Sequence, residues 1–315
     1  MNMNNELSYD KINGDVYFIE ESHKYGNVKY PNIEYLSVTT AIGKYHEKFD
    51  EDFWSSYKAI EKIFGIQTFK NSGIRKTLLN TKKWKDDYLD LVDIDKNLFF
   101  DIKRGILLEY ETNRKESCEI GTAYHLKREL EFYNKPMIKI PNLIGDDTEF
   151  QCEKHNWDLS RENSILPEYL VYYHSDDGLL NIAGQIDLLI KKGNDIYIFD
   201  YKSNRNGIEK KAYFNKSTNR TKRMFYPLTH IDDTTYNHYE LQLSFYAWML
   251  KKINPNFEIK QLVLLHNPRG EGEETRFDLV YREKDIEALV HDLWKQKYLD
   301  KQKNIIMMYN VNVYD

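Results

Sequence analysis

The chain is predicted to be an α/β (α+β) protein with a mixed β-sheet flanked by helices and a helical N-terminal region. Three observations predict it. Residues 167–202 hold three β-branched and aromatic runs, PEYLVYYHS, LNIAGQIDLLI and IYIFDYK, separated by DDG and KKGND turns; this is the pattern of an antiparallel meander. A helical pattern at about 236–252 and a strand pattern at 259–268 follow, so helix and strand alternate around the meander. Before any of this, residues from about 41 to 133 keep a mostly helical pattern.

The elements are read in order. Short alternating runs over 15–36, around Gly26-Asn27, predict a hairpin. Ser37, Thr39 and Thr40 are candidate N-caps for a helix from about Ala41 to Ile63. Gly65, Gly73 and Gly105 interrupt the helical pattern that continues to Tyr133, and 136–150 is predicted to be a loop. Strands at 167–175, 180–190 and 196–202 come next, then a polar loop over 203–235. A helix at 236–252, strands at 259–268 and 275–282 and an amphipathic helix at 283–303 complete the chain. We expect an N-terminal hairpin and helical region over 1–114 and a core over 115–315, continuous with one another.

Composition narrows the class. With 45 Lys+Arg against 50 Asp+Glu the net charge is −5, which excludes a uniformly basic nucleic-acid coat but leaves room for a local basic stripe. A hydrophobic content of 41% with 14% aromatic residues supplies a core and argues against wholesale disorder. Mean hydropathy is −0.71 and no run of about 18 apolar residues occurs, so no membrane span is expected. The N-terminal residues lack a secretory pattern, and a soluble cytoplasmic protein is the expectation. The 2 cysteines, Cys118 and Cys152, are too few for a disulfide framework or a four-cysteine cluster.

Chemistry is suggested first by Asp200-Tyr201-Lys202 at a strand end. Side chains two apart on a strand share a face, so Asp200 and Lys202 point one way and Tyr201 the other. Alone, such a pair reads most simply as a surface ion pair. Asp187, one hairpin earlier in an apolar strand, changes that reading, because a buried lone carboxylate is costly unless paired, hydrogen-bonded or metal-bound. In-register pairing would let Asp187 and Asp200 converge on one cation, and hard oxygen ligands suit Mg²⁺ or Mn²⁺. Upstream, Gly121, His125 and Glu129 share a helix face; Gly121 would allow close approach to the sheet. His125 reads either as a structural histidine or as a further ligand. Downstream, Gln242 and Tyr246 stand one turn apart, with His238 a turn earlier. They form either a capped buried helix or a polar stripe that steadies the lysine and a substrate phosphate.

In order, GTAYH, the Glu168-bearing strand PEYLVYY, GQID, DYK and QLSFY resemble the PD-(D/E)xK nuclease superfamily, within it the RecB-like exonucleases with a Gln-x-x-x-Tyr motif. The stretch 224–250 is similar to bacteriophage-encoded exonucleases, and SVTT at 37–40 resembles the start of such proteins. The resemblance covers about residues 115–265. It implies a restriction-endonuclease-like core in which His125, Asp187, Asp200 and the Tyr201 carbonyl bind one or two Mg²⁺ or Mn²⁺ ions, with Glu168 reaching a second. Lys202 would position or activate the attacking water, and Gln242 and Tyr246 would support Lys202 and the DNA backbone. Some relatives carry four cysteines around an iron–sulfur cluster; two cannot do this, so no cluster is expected.

Basic residues concentrate after the lysine: Arg205, Lys210, Lys211, Lys216, Arg220, Lys222 and Arg223, against Glu209 alone across 201–223. Tyr213, Phe214, Phe225 and Tyr226 lie among or beside them. Cations for phosphates and aromatic faces for unpaired bases make a single-strand track, although a charge run is also what a solvated loop looks like. No module for reading base edges is visible. The leading expectation is a metal-dependent DNA exonuclease working from single-stranded ends in phage DNA replication, recombination or processing, with replication or recombination proteins as partners. Alternatives are a structure-specific endonuclease of the same fold, or a non-catalytic nucleic-acid-binding module on a decayed one. A His-Asp phosphohydrolase built on His291-Asp292 lacks the additional upstream histidine ligands at suitable helical positions.

Overall fold

A computed structural model describes residues 11–81, 94–133, 137–154, 157–215 and 219–311. The strands are β1 (Lys11–Asn13), β2 (Val16–Ile19), β3 (Lys24–Asn27), β4 (Leu36–Ser37), β5 (Met137–Lys139), β6 (Glu149–Gln151), β7 (Asn163–His174), β8 (Asn181–Lys192), β9 (Asp195–Lys202), β10 (Phe214–Asn215), β11 (Arg220–Thr221), β12 (Glu258–His266) and β13 (Thr275–Leu279). The helices are α1 (Val38–Ile42), α2 (Glu51–Phe64), α3 (Ile66–Asn71), α4 (Gly73–Thr81), α5 (Lys96–Tyr133), α6 (Pro141–Ile144), α7 (Thr235–Ile253) and α8 (Glu283–Val311). Among the described residues no helix is long and apolar enough to cross a membrane.

The expected meander forms. β7, β8 and β9 pair antiparallel, and β12 adds parallel to β9, so the 8-stranded sheet is mixed, in the order β13-β12-β9-β8-β7-β6-β5 with β4 beside β8. This is a mixed sheet flanked by helices, consistent with a restriction-endonuclease-like core. Alternation along β9 and β12 sorts their side chains. Ile196, Ile198, Leu262 and Leu264 join a core with α7 and α8, while Phe199, Tyr201, Val263 and Leu265 join another with Tyr124 and Phe132 of α5.

A fork in this sheet positions the site. β9 pairs with β8 only from Lys192↔Asp195 to Leu188↔Phe199, whereas β9 follows β12 on to Lys202. The other end of β8 is met by β4, at Leu36↔Ile182 and Ser37↔Ala183. The sheet therefore divides between Asp187 and Asp200. On the other side of β8 the ladder with β7 keeps register but skips Glu168 opposite Asp187, and Glu168 has φ 55°, a left-handed conformation that costs a non-glycine residue.

α7 backs the fork. The Thr234 hydroxyl accepts from the Asn237 N–H to cap it, and Leu241, Leu243, Phe245, Ala247 and Met249 are buried. Glu240 is buried too, accepting from the Val280 N–H at 2.9 Å and pairing with Arg282.

Several elements differ from expectation. The helix expected over 41–63 is two, α1 and α2; Ser37 caps the first by accepting from the Thr40 N–H, and Asp50 caps the second. Gly26-Asn27 is not a turn but the end of β3. Gly26 leaves room for the Tyr17 ring opposite, which an added Cβ would meet at 2.3 Å. Gly105 lies inside α5, and β5, α6 and β6 occupy 137–151, pieces too short to show a period in the sequence.

The described residues form two units, Met1–Glu47 with Gly121–Asp315, and Lys48–Ile120. The N-terminal hairpin thus groups with the sheet rather than with the helical region. The helical unit has its own core of Phe53, Tyr57, Ile60, Phe69, Leu78, Phe99 and Ile106 and ion pairs Lys103–Asp52 and Arg114–Glu51.

Gly184 of β8 lets α7 close on the sheet: an added Cβ would lie 2.6 Å from Tyr246 Cε1 and 3.0 Å from Val38 Cγ2. Gly184→Ala should therefore cost about 1–3 kcal/mol through overpacking, read as a lower urea midpoint at unchanged m-value. An unchanged midpoint would mean that the Tyr246 ring is free to move away.

Candidate active site

His125, Glu168 and Asp187 converge at the fork, with one donor atom of each within 4.8 Å of the others. α5 supplies His125, whose Nδ1 lies 3.6 Å from Asp187 Oδ2 and 3.9 Å from Glu168 Oε1. Its Nε2 stands 3.0 Å from the Tyr201 carbonyl. The left-handed turn at Glu168 brings that carboxylate to the same point. Its Oε2 accepts from Lys11 Nζ at 3.0 Å and from the Gln185 amide. Asp187 Oδ2 accepts the Tyr201 N–H at 2.7 Å, a bond that takes the place of a strand-to-strand hydrogen bond where β9 leaves β8. Burial alone would push His125 down, but the Asp187 and Glu168 carboxylates outweigh it and hold the imidazolium to about 9.

Asp200 is not one of this metal-competent group, although Asp187 and His125 lie close enough to act on its charge. As alternation requires, it shares a face with Lys202, and the two form an ion pair, while Tyr201 turns into the opposite core, under the Arg128 guanidinium at 4.9 Å. Asp200 Oδ1 accepts from Gln242 Nε2 at 3.2 Å, and that amide also donates to Tyr246 Oη at 3.1 Å. Burial pushes the Asp200 carboxyl above the usual carboxylate range, against the pull of Lys202. Burial would likewise lower Lys202, yet Asp200 and Asp187 hold its ammonium charged. Its Nζ lies 5.1 Å from the centre of the Tyr239 ring, a cation–π contact.

The expected support of Lys202 by Gln242 and Tyr246 is thus indirect: Gln242 reaches Asp200, and Tyr246 reaches Gln242. Gly121 gives no unusually close approach, since an added Cβ would meet only Ser203 Oγ at 3.5 Å. Sequence reasoning misses Lys11, Gln185 and Tyr239. Gln185 and Tyr239 carry a signal, the first two residues before Asp187 on its strand and the second three before Gln242 on its helix; Lys11 carries none. His291 stacks on Trp294, and Asp292 accepts from Tyr45 Oη and Gln296; the pair belongs to none of the metal-competent groups among the described residues.

The basic segment divides in two. Lys222 pairs with Asp233 at 2.9 Å and Glu47 at 3.5 Å, and Arg223 pairs with Asp232, acids outside the window that looks uniformly basic. Lys210 Nζ lies 5.0 Å from the centres of both the Tyr236 and Phe277 rings. Arg205, Lys211 and Arg220 are exposed, as are Tyr213, Phe214, Phe225 and Tyr226. Lys216 lies outside the described residues.

One imidazole nitrogen and two carboxylates form a donor set suited to a small divalent ion, provided His125 yields its proton. The model of the PD-(D/E)XK nuclease superfamily matches residues 107–305. No curated protein matches the chain. Among solved structures, one described as the crystal structure of SSO0001 is similar at 16% identity over 41% of this chain and 48% of that chain, with a TM-score of 0.23. This chain therefore spans about half the length of that solved protein. The superfamily match takes in α5 from before His125, the forked sheet, α7 and most of α8, well over half of the sequence, and the chain belongs to the PD-(D/E)XK nuclease superfamily.

Proposed function

We propose that this nuclease is a Mg²⁺- or Mn²⁺-dependent DNA exonuclease of the RecB-like, Gln-x-x-x-Tyr kind, similar to those of bacteriophages, and that it degrades single strands from their ends. The observation that carries the reading is the meeting of His125, Glu168 and Asp187 at the strand fork beside Asp200, Lys202 and Gln242. An ion held by His125 Nδ1, Glu168 and Asp187, with the Tyr201 carbonyl on the other nitrogen of His125 and Asp200 adjacent, would supply an acidified water and charge neutralisation for phosphodiester hydrolysis.

The chain's own groups do the rest. Lys202 is a fixed positive charge at the place where charge develops on the phosphate, and such electrostatic help is worth roughly 3–4 kcal/mol per donor. Asp200 and the Tyr239 ring hold that ammonium from two sides, and Gln242 and Tyr246 hold Asp200. Gln185 and Lys11 keep one oxygen of Glu168 engaged, so the other faces His125. Arg205, Lys210, Lys211, Lys216 and Arg220 would take phosphates, and Tyr213 and Phe214 would stack on unpaired bases. Replication or recombination proteins of a phage-infected cytoplasm are the partners this reading suggests.

Lys202→Ala should lower the cleavage rate at least 10²-fold while DNA affinity stays within a few-fold, because one phosphate-site cation among many adds little to binding. EDTA should abolish cleavage and Mg²⁺ or Mn²⁺ restore it. A near-wild-type rate for the variant, or full activity in EDTA, would remove the assigned chemistry.

Neutralising Lys211, Arg220 and Arg205 together should weaken single-strand binding and flatten the slope of log affinity against log salt by about 0.7 per phosphate neutralised. Neutralising Lys222 and Arg223, already paired with Asp233 and Asp232, should change that slope less. Equal slopes in the two variants would return the loop to the solvated-surface reading.

Threading from an end is tested with one single-stranded circle beside the same DNA linearised. Loss of the linear form alone is the expected outcome. Equal loss of the circle identifies an endonuclease.

A further inference from the structure

A second group of metal-competent side chains lies outside the active site. His46, Asp233 and His238 each place a donor atom within 4.8 Å of the other two, from two stretches of chain: the segment after α1, and the start of α7, where Asp233 precedes the Thr234 cap and His238 lies in the first turn. The imidazoles of His46 and His238 are stacked, with centroids 4.0 Å apart and planes 22° apart. His46 Nδ1 lies 3.2 Å from the Glu47 carbonyl. A carbonyl only accepts, so Nδ1 carries the hydrogen and Nε2 keeps its lone pair, as in histidines that ligate metals while donating to a backbone oxygen. His238 Nε2 stands 2.8 Å from Asp233 Oδ1. Two donors at about 2.1 Å from one ion are about 3.4 Å apart at a tetrahedral angle, so this pair needs to part by only about half an ångström to share one.

We propose that His46, Asp233 and His238 form a second site, for a first-row transition ion of the Zn²⁺ class, distinct from the oxygen-rich active site. Two imidazoles and one carboxylate are a borderline-soft set that favours Zn²⁺, Co²⁺ or Ni²⁺ over Mg²⁺. The Lys222 ammonium is the neighbouring cation, and it occupies Asp233 Oδ2 at 2.9 Å, which leaves Oδ1 for the ion. The surrounding backbone is fixed: the Phe225 N–H donates to the Tyr45 carbonyl at 2.6 Å and the Asp233 N–H to the Lys222 carbonyl at 3.0 Å. Binding displaces the proton between His238 and Asp233 and leaves the ion on His46 Nε2, Asp233 Oδ1 and His238 Nε2, with water completing the shell. The ion would clip the 45–47 segment and the basic loop to α7, one helical turn from Gln242.

The test uses the full chain carrying Asp187→Asn, which weakens the active-site donor set, with Co²⁺ as the probe. Equilibrium dialysis and the visible Co²⁺ spectrum should give about one ion per chain, and adding His46→Ala should lower that affinity at least tenfold. In the otherwise unaltered chain, Zn²⁺ should raise the melting temperature, and it should raise it less in His46→Ala, a variant that circular dichroism can show to be folded. No Co²⁺ bound to the Asp187→Asn chain, or equal binding after His46→Ala, overturns the site. Neither measurement involves DNA cleavage, so failure here leaves the nuclease reading standing.

Discussion

The backbone amide of Tyr201 donates to a side chain, the Asp187 carboxylate, where a regular sheet would supply a carbonyl. Leaving a buried N–H unpaired costs about 1–3 kcal/mol, so β9 can part from β8 only because a carboxylate is there to accept. β12 continues to pair with β9 as far as Lys202, so the departing strand keeps a partner on its other edge. The fork, the exposure of the Tyr201 carbonyl towards His125 and the separation of Asp187 from Asp200 all follow from that substitution of acceptor.

Charge explains the rest of the arrangement. Glu168, Asp187 and Asp200 are all largely buried, and such carboxylates persist in the absence of an ion only with partners. Lys11, His125 and Lys202 are those partners. Their roles differ in kind. His125 is an imidazole that can give up its proton, whereas Lys11 and Lys202 are ammonium groups held charged by the carboxylates beside them. The trio of His125, Glu168 and Asp187 is thus a candidate place for a divalent ion within a surrounding framework of fixed charge.

The central sheet and α7 were legible because their signals are local: alternation, turn residues, caps and a 3.6-residue period. The same alternation put Asp200 and Lys202 on one face and Tyr201 on the other. What escaped was set by contacts between segments rather than by a local pattern. The break at Gly43–Asp50 follows from Tyr45 docking on Asp292 and Phe225, and β5 and β6 are held by each other and by β7. Lys222 and Arg223 look free in sequence because their acids follow them by about ten residues, outside the basic run itself. Lys11 sits in a three-residue strand with no pattern around it, and only the docking of the hairpin on β7 reveals its partner.

That lysine ties the assembly of the site to the order in which the chain is made. Lys11 and Glu168 are 157 positions apart, and Gln242 lies a further 74 beyond Glu168 in the sequence. A nascent chain released as far as β9 has its trio of donors but no amide to hold Asp200 and no aromatic ring to hold Lys202. Pairings of such long separation form late. The contacts that hold Asp200 and Lys202 from the α7 side therefore form only once α7 has emerged and packed.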